Sequence, residues 1–202
     1  MKIQIKNRNY FLSASTTDWT SLYAHQDEFE LANDNELTTL AILPKEWRVS
    51  FDMKTTRMAN DSTDWNNIFQ MHVEGSNWPE VGCKIPEVQF DTANNNKLLI
   101  QSAINCETVR LGSNQMPTLK LDTWMRIKIG QELETDGVYR TKVWIDEQLL
   151  YTIENKQPQV FEKVQVFASR SLPSGYSGSV RKLSIEKKGT DLQGKTQLQP
   201  NI

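Results

Sequence analysis

The stretch Glu46-Trp47-Arg48-Val49-Ser50-Phe51-Asp52-Met53-Lys54 decides the fold. Trp47, Val49, Phe51 and Met53 alternate with Arg48, Ser50, Asp52 and Lys54. Only an extended chain gathers such a set on one side, because successive side chains of a strand point to opposite faces, whereas a helix would scatter the four around its circumference. The same beat recurs outward in both directions. Phe69, Met71 and Val73 alternate with Gln70 and His72; Met125, Ile127 and Ile129 follow Trp124; Tyr139, Thr141, Val143 and Ile145 form a further set. Val164, Val166 and Ala168 continue it, and Val180, Leu183 and Ile185 close it. Leu98-Leu99-Ile100 is an uninterrupted apolar run of the kind a strand covered on both faces carries. Strand patterns repeated in this way, separated by Asn, Asp, Gly and Pro clusters, predict an all-β fold: a two-sheet antiparallel β-sandwich.

Turn and helix signals fit around that frame. Asp146-Glu147-Gln148 reads as a tight hairpin turn, and Asn94-Asn95-Asn96 as another, since Asn tolerates the left-handed conformation short turns need. Residues 21–31 are the one place where a short helix is expected. After Lys188 the chain becomes polar and aperiodic, so the expected organisation is a single domain over residues 1–187 and a flexible C-terminal tail over 188–202.

Composition narrows the function classes. The chain has 202 residues, a formal charge of -2 and 24% charged residues. That balance supplies no basic footprint for nucleic acid, and no apolar run is long enough to span a bilayer as a helix. The opening Met1-Lys2-Ile3-Gln4-Ile5-Lys6 lacks the apolar core of a secretion signal, so the chain is expected to be cytoplasmic or to have lost a leader; a secreted or cell-surface setting is the favoured expectation. Cys83 and Cys106 flank what reads as two strands and a turn, and the stronger expectation for them is one disulfide, the weaker two reduced thiols.

Several segments together carry a family likeness: Gly82-Cys83-Lys84-Ile85-Pro86-Glu87-Val88-Gln89-Phe90, Trp124-Met125-Arg126-Ile127-Lys128-Ile129, Val143-Trp144-Ile145-Asp146-Glu147-Gln148, and Gly178-Ser179-Val180-Arg181-Lys182-Leu183-Ser184-Ile185. Their order over residues 37–187 resembles the laminin-G-like and concanavalin A-like jelly rolls. Glu147 stands where that pattern usually has Gly, and Lys182 where it often has Asn. The resemblance implies a jelly roll, and with it a range of roles from lectin and adhesion module to polysaccharide lyase.

If the alternating apolar set faces the core, its complement is forced outward. That complement holds Gln70, His72, Glu87, Gln89, Asp91, Gln101, Trp124, Arg126, Lys128, Arg140, Lys142 and Trp144. Amides, carboxylates and guanidinium groups hydrogen-bond hydroxyls, and indole faces stack on sugar C–H groups, so the mixture suits a glycan; a merely solvated sheet surface is the plainer reading. The expected ligand-binding set is Gln70, His72, Gln89, Trp124, Arg126, Lys142 and Trp144, with Trp78 from a polar loop; Tyr176 is a further loop aromatic.

Two sharper motifs rest on resemblance. Gln70-Met71-His72 resembles the Gln-x-His strand of alginate-lyase-type jelly rolls, which implies an amide that neutralises a uronate and a His base; Arg126 and Tyr139 would complete that set. The tyrosine-bearing strand of those enzymes has no clear counterpart here. Val88-Gln89-Phe90-Asp91-Thr92 with Asn95 resembles a legume-lectin metal strand, but Gln89 replaces a carboxylate. Asp91 and Asn95 fall short of the roughly six to eight oxygens calcium takes, so a calcium site is the weaker expectation and a capped turn the stronger. No close carboxylate pair for retaining glycoside hydrolysis, no nucleophile elbow and no phosphate loop is present. The reading is therefore a non-catalytic glycan-binding or adhesion module with a glycan or glycoconjugate partner. An anionic polysaccharide lyase and a protein-interaction module, including a homo-oligomer, are the alternatives.

Overall fold

A computed structural model describes residues 19–57, 66–77, 80–91, 97–111, 116–170, 172 and 176–189, without the side chains of Asn66 and Asp91. Thirteen strands make up its regular structure: β1 (Trp19–His25), β2 (Phe29–Glu30), β3 (Glu36–Leu43), β4 (Trp47–Arg57), β5 (Asn66–Val73), β6 (Glu87–Asp91), β7 (Lys97–Ile104), β8 (Glu107–Leu111), β9 (Trp124–Leu133), β10 (Tyr139–Ile145), β11 (Gln148–Glu154), β12 (Phe161–Phe167) and β13 (Ser177–Lys188). They form two antiparallel sheets. A seven-stranded sheet runs β1-β13-β4-β9-β10-β11 with β2 also on β13, and a six-stranded sheet runs β3-β12-β5-β6-β7-β8. The expected all-β sandwich is thus the fold found.

The two-residue beat does the sorting. Trp47, Val49, Phe51 and Met53 are each at most 2% exposed and face the six-stranded sheet, where Phe51 meets Phe69 at a ring separation of 5.0 Å. Ile127, Ile129, Val143 and Ile145 extend the layer on one side, and Ile100, Val164 and Val166 answer from the other. Tyr176 belongs to this interior: it is 7% exposed, its ring lies 4.6 Å from that of Phe90, and its hydroxyl pairs with Thr55 Oγ1.

Two expectations need correction. Residues 21–31 hold no helix but β1 and β2, because β13 offers an open edge that pairs with both and Leu22, Tyr23 and Phe29 turn their apolar groups to the core. Cys83 and Cys106 are both free. Asn105 and Cys106 are the two central residues of the β7–β8 turn, with φ of 53° and 62°, so Cys106 projects from a hairpin tip. There its Sγ donates to Gln157 Oε1 at 2.8 Å, while the buried Cys83 Sγ sits 3.9 Å from Thr108 Oγ1.

The hairpin at Asp146 and Glu147 forms as expected, with φ of 47° and 65°. The residues that depart from the family pattern therefore both sit in left-handed backbone: Glu147 here, and Lys182 at φ 50° in a register shift of β13 against β4. The turn expected at residues 94–96 lies outside the described residues, as does all but the start of the expected tail.

Candidate functional site

The expected binding residues fall on two opposite surfaces of the sandwich. Trp124, Arg126, Lys142 and Trp144 stand on the outer face of the seven-stranded sheet, whereas Gln70, His72 and Gln89 stand on the outer face of the six-stranded one. Tyr139 occupies the inward register of β10, in step with Thr141 and Val143. The set proposed for lyase chemistry is consequently not brought together: periodicity separates inside from outside but does not say to which sheet an outside residue belongs. Trp78, Asn95 and the side chain of Asp91 lie outside the described residues, and among the described residues no group of three His, Cys, Asp or Glu is placed to hold a metal.

On the seven-stranded sheet the polar groups satisfy one another. Asp52 accepts from Arg126 Nη1 at 3.0 Å and Arg181 Nε at 3.2 Å, and Arg126 Nη2 donates to Ser50 at 2.8 Å. Partial burial pushes the Asp52 carboxyl up, but the hydrogen bonds from Arg126 and Arg181 outweigh it and hold the group below the usual carboxylate range. The indoles are already engaged by cations. Arg181 lies 3.9 Å and Lys54 4.6 Å from the Trp124 ring centre, and Lys128 lies 4.6 Å from that of Trp144. Lys142 pairs with Glu134 at 2.5 Å.

The six-stranded sheet is arranged differently. Strand register aligns Glu36, Phe167, Gln70, Glu87, Gln101 and Arg110 in one row crossing all six strands. At the usual strand spacing that row is about 24 Å long. Its ends, Glu36 and Arg110, are exposed, whereas Phe167, Gln70, Glu87 and Gln101 are 8%, 7%, 4% and 3% exposed. Flanking rows contribute His72 beside Gln165, and Asn67 beside Gln89 and Leu99. Such burial is unusual for polar groups that point away from the core.

Asn67 is the member that alternation misses, since strict period two would send it to the core with Phe69. A bulge between Asn67 and Phe69 turns both Ile68 and Phe69 inward and leaves Asn67 and Gln70 on the outer face. Asn67 Nδ2 then donates to Gln70 Oε1 at 3.1 Å and to Glu87 Oε1 at 2.7 Å, and Gln70 Nε2 donates to the Cys83 carbonyl at 3.0 Å. Lys84, from the segment before β6, pairs with Glu87 at 2.6 Å and donates to Gln101 at 2.7 Å. No sequence signal marked Lys84.

His72 is the exception in this connected group. It is 3% exposed, and neither ring nitrogen has a hydrogen-bond partner among the described residues; Asn67 Oδ1 is likewise unpartnered. Burial lowers the His72 pKa, the nearby Arg170 lowers it further, and Glu36 only partly opposes them, so the ring is neutral near pH 7. A neutral imidazole offers one donor and one acceptor. Leaving buried polar groups unpaired costs about 1–3 kcal/mol each, a cost that a hydroxyl-bearing ligand or water would remove. Phe167 and Leu99 provide apolar surface in the same face.

No family model and no curated protein matches the chain. Solved structures do. The receptor binding domain of botulinum neurotoxin D superposes with a TM-score of 0.55 at 13% identity, covering 87% of this chain and 44% of that one. The binding domain of botulinum neurotoxin DC, solved in complex with SialylT, gives 0.53 at 12% identity over 85% and 42%. An alginate lyase from Chlorella virus gives 0.49 at 9% identity over 72% of each chain. The chain spans less than half the length of the toxin domains it matches. The two toxin-domain likenesses concern the fold alone, a two-sheet jelly-roll sandwich.

Proposed function

We propose that the protein is a non-catalytic glycan-binding module that takes a neutral, hydroxyl-rich oligosaccharide along the outer face of the six-stranded sheet. The observation that carries this reading is the buried polar row through Gln70, Glu87 and Gln101, with the His72 imidazole beside it, which has no hydrogen-bond partner among the described residues. Buried polar groups are ordinarily satisfied, and those left open on a face away from the core are where ligand hydroxyls gain most. The row is elongated, as a chain of sugar rings is. Its buried centre is built of amides and one ion pair, Lys84 with Glu87, whose charges cancel, so the floor favours an uncharged sugar over a uronate. Phe167 supplies the aromatic surface on which a sugar ring can lie.

The floor is nearly closed to solvent, so a ligand has to displace what borders it, and association is slower than for an open site. Titration calorimetry with a panel of neutral and uronate oligosaccharides tests the reading. Wild-type protein binds a neutral member of the panel, and Gln70→Ala and Gln89→Ala, each with an unchanged circular dichroism spectrum, bind it at least tenfold more weakly. Equal binding by both variants removes the face from consideration. Appearance of unsaturated product from a uronate polymer would replace this reading with the lyase.

A further inference from the structure

A second site lies at one end of the seven-stranded sheet, beneath the segment 117–123 and away from the polar row of the six-stranded sheet. There the end of β4, the start of β9, the β10–β11 turn and the segment 117–123 enclose a cavity of 490 Å³. Its deep wall is Met53, Leu119 and Ile145, at 1%, 8% and 5% exposure, and Met125 and Leu150 form its half-buried sides. Core side chains of this kind normally close on one another, because interiors pack to near crystalline density. Here they leave a space within the roughly 300–1,000 Å³ range of sites that take small molecules.

The mouth has a different chemistry from the wall. Thr118, Thr123 and Gln148 bring neutral hydrogen-bonding groups. The Thr123 hydroxyl donates to the Leu121 carbonyl and keeps its lone pairs for a donor. Two charged residues stand at the rim, Lys120 and Asp146, of opposite sign, and Asp146 already accepts from the Arg126 backbone N–H at 2.8 Å. The two charges are opposite, so the rim carries no net charge that would favour an ionic ligand. Two methionines in the wall, Met53 and Met125, add unbranched and polarizable surface that adapts to the shape of an occupant.

We propose that this cavity is a binding site for an uncharged amphipathic small molecule, with an apolar body held by Met53, Met125, Leu119 and Leu150 and a hydroxyl or carbonyl group at the threonine-lined mouth. The site does not depend on the glycan reading, and either stands without the other.

The test is a fluorescence titration of the full chain with N-phenyl-1-naphthylamine, an uncharged dye that brightens in apolar surroundings. The dye binds saturably; Leu150→Trp and Met125→Phe, which fill the cavity, weaken it at least tenfold, and Lys163→Ala, on β12 of the other sheet, leaves it unchanged. Methionine-methyl NMR on the wild-type protein covers the case in which a filled variant fails to fold: the Met53 and Met125 signals move with dye and that of Met71, a core residue outside the cavity, does not. Absence of saturable binding overturns the proposal, as do equal binding by folded filled variants or unmoved Met53 and Met125 signals.

Discussion

Phe167 lies against His72 on the outer face of the six-stranded sheet, ring centres 5.4 Å apart and ring planes inclined at 43°. The pairing matters because His72 is the only group of the Gln-x-His motif with the chemistry of a base, and the ring beside it carries no hydroxyl. Tyr139, the tyrosine expected to complete that set, belongs to the other sheet and faces inward. What Phe167 does provide is an apolar plate next to a donor and an acceptor, an arrangement suited to holding a sugar.

The His72 imidazole makes stability depend on pH. Its pKa in the folded protein lies below the value of about 6.5 expected when unfolded, so the unfolded chain binds the extra proton first as pH falls. Stability is full well above that unfolded value and declines as pH falls through it towards the lowered folded-state pKa. Urea titrations across this window should show the decline in wild type and a flatter profile in His72→Leu. The Asp52 carboxylate, held low by its guanidinium partners, also loses its contribution as pH falls, but only through its own lowered pKa, below about 4.

Gly130 allows β4 and β9 to approach closely. A Cβ placed there would stand 2.9 Å from both Arg48 Cβ and the Trp47 carbonyl oxygen. Relieving that contact means moving backbone, so Gly130→Ala should lower the unfolding free energy by about 1–3 kcal/mol. The urea midpoint measures it, and an unchanged midpoint would show that the strands have room to spare.

Glu147 and Lys182 pay for their left-handed backbone, which costs an ordinary L-residue about 1–2 kcal/mol relative to right-handed or extended geometry. Glu147→Gly and Lys182→Asn should each raise stability by roughly 0.5–1 kcal/mol, since Gly and Asn tolerate these angles. The ion pairs given up are Glu147 with Lys128 at 3.3 Å and Lys182 with Asp52 at 3.5 Å; Glu147 and Lys182 are themselves exposed, and Asp52 keeps Arg126 and Arg181, so little is lost. A rise in thermal midpoint for both variants is the expected result.

The thiols should differ in reactivity. Cys106 is exposed, whereas Cys83 is buried and its thiol pKa is raised by that burial. A disulfide-exchange reagent should therefore consume one equivalent quickly and the second only on unfolding. Two slow equivalents, or a mass gain of two hydrogens on reduction, would contradict the placement.

How far the fold could be read from the chain is clear at β4, where Trp47 to Met53 alternate without a break and each lies where the beat puts it. The misreadings have physical causes. Residues 21–31 are too polar to announce a strand on their own, and become one by pairing with β13, more than a hundred residues away. Asn67 goes unnamed among the outward residues because one inserted residue at Ile68 reverses the parity of everything before it. Gln70 and Trp144 look like members of one polar surface because a strand's periodicity records which side is wet but not which sheet carries it. Cys106 looks like a disulfide partner until the Asn105-Cys106 turn aims it at Gln157 and Gln159 instead.

The most direct test of the glycan face is an NMR titration of side-chain N–H signals with a neutral oligosaccharide that binds. The amide signals of Asn67, Gln70, Gln89 and Gln101 should shift together with saturation, while the indole signals of Trp124 and Trp144 stay in place. Shifted indoles beside unmoved amides would put the ligand on the seven-stranded sheet and contradict that expectation.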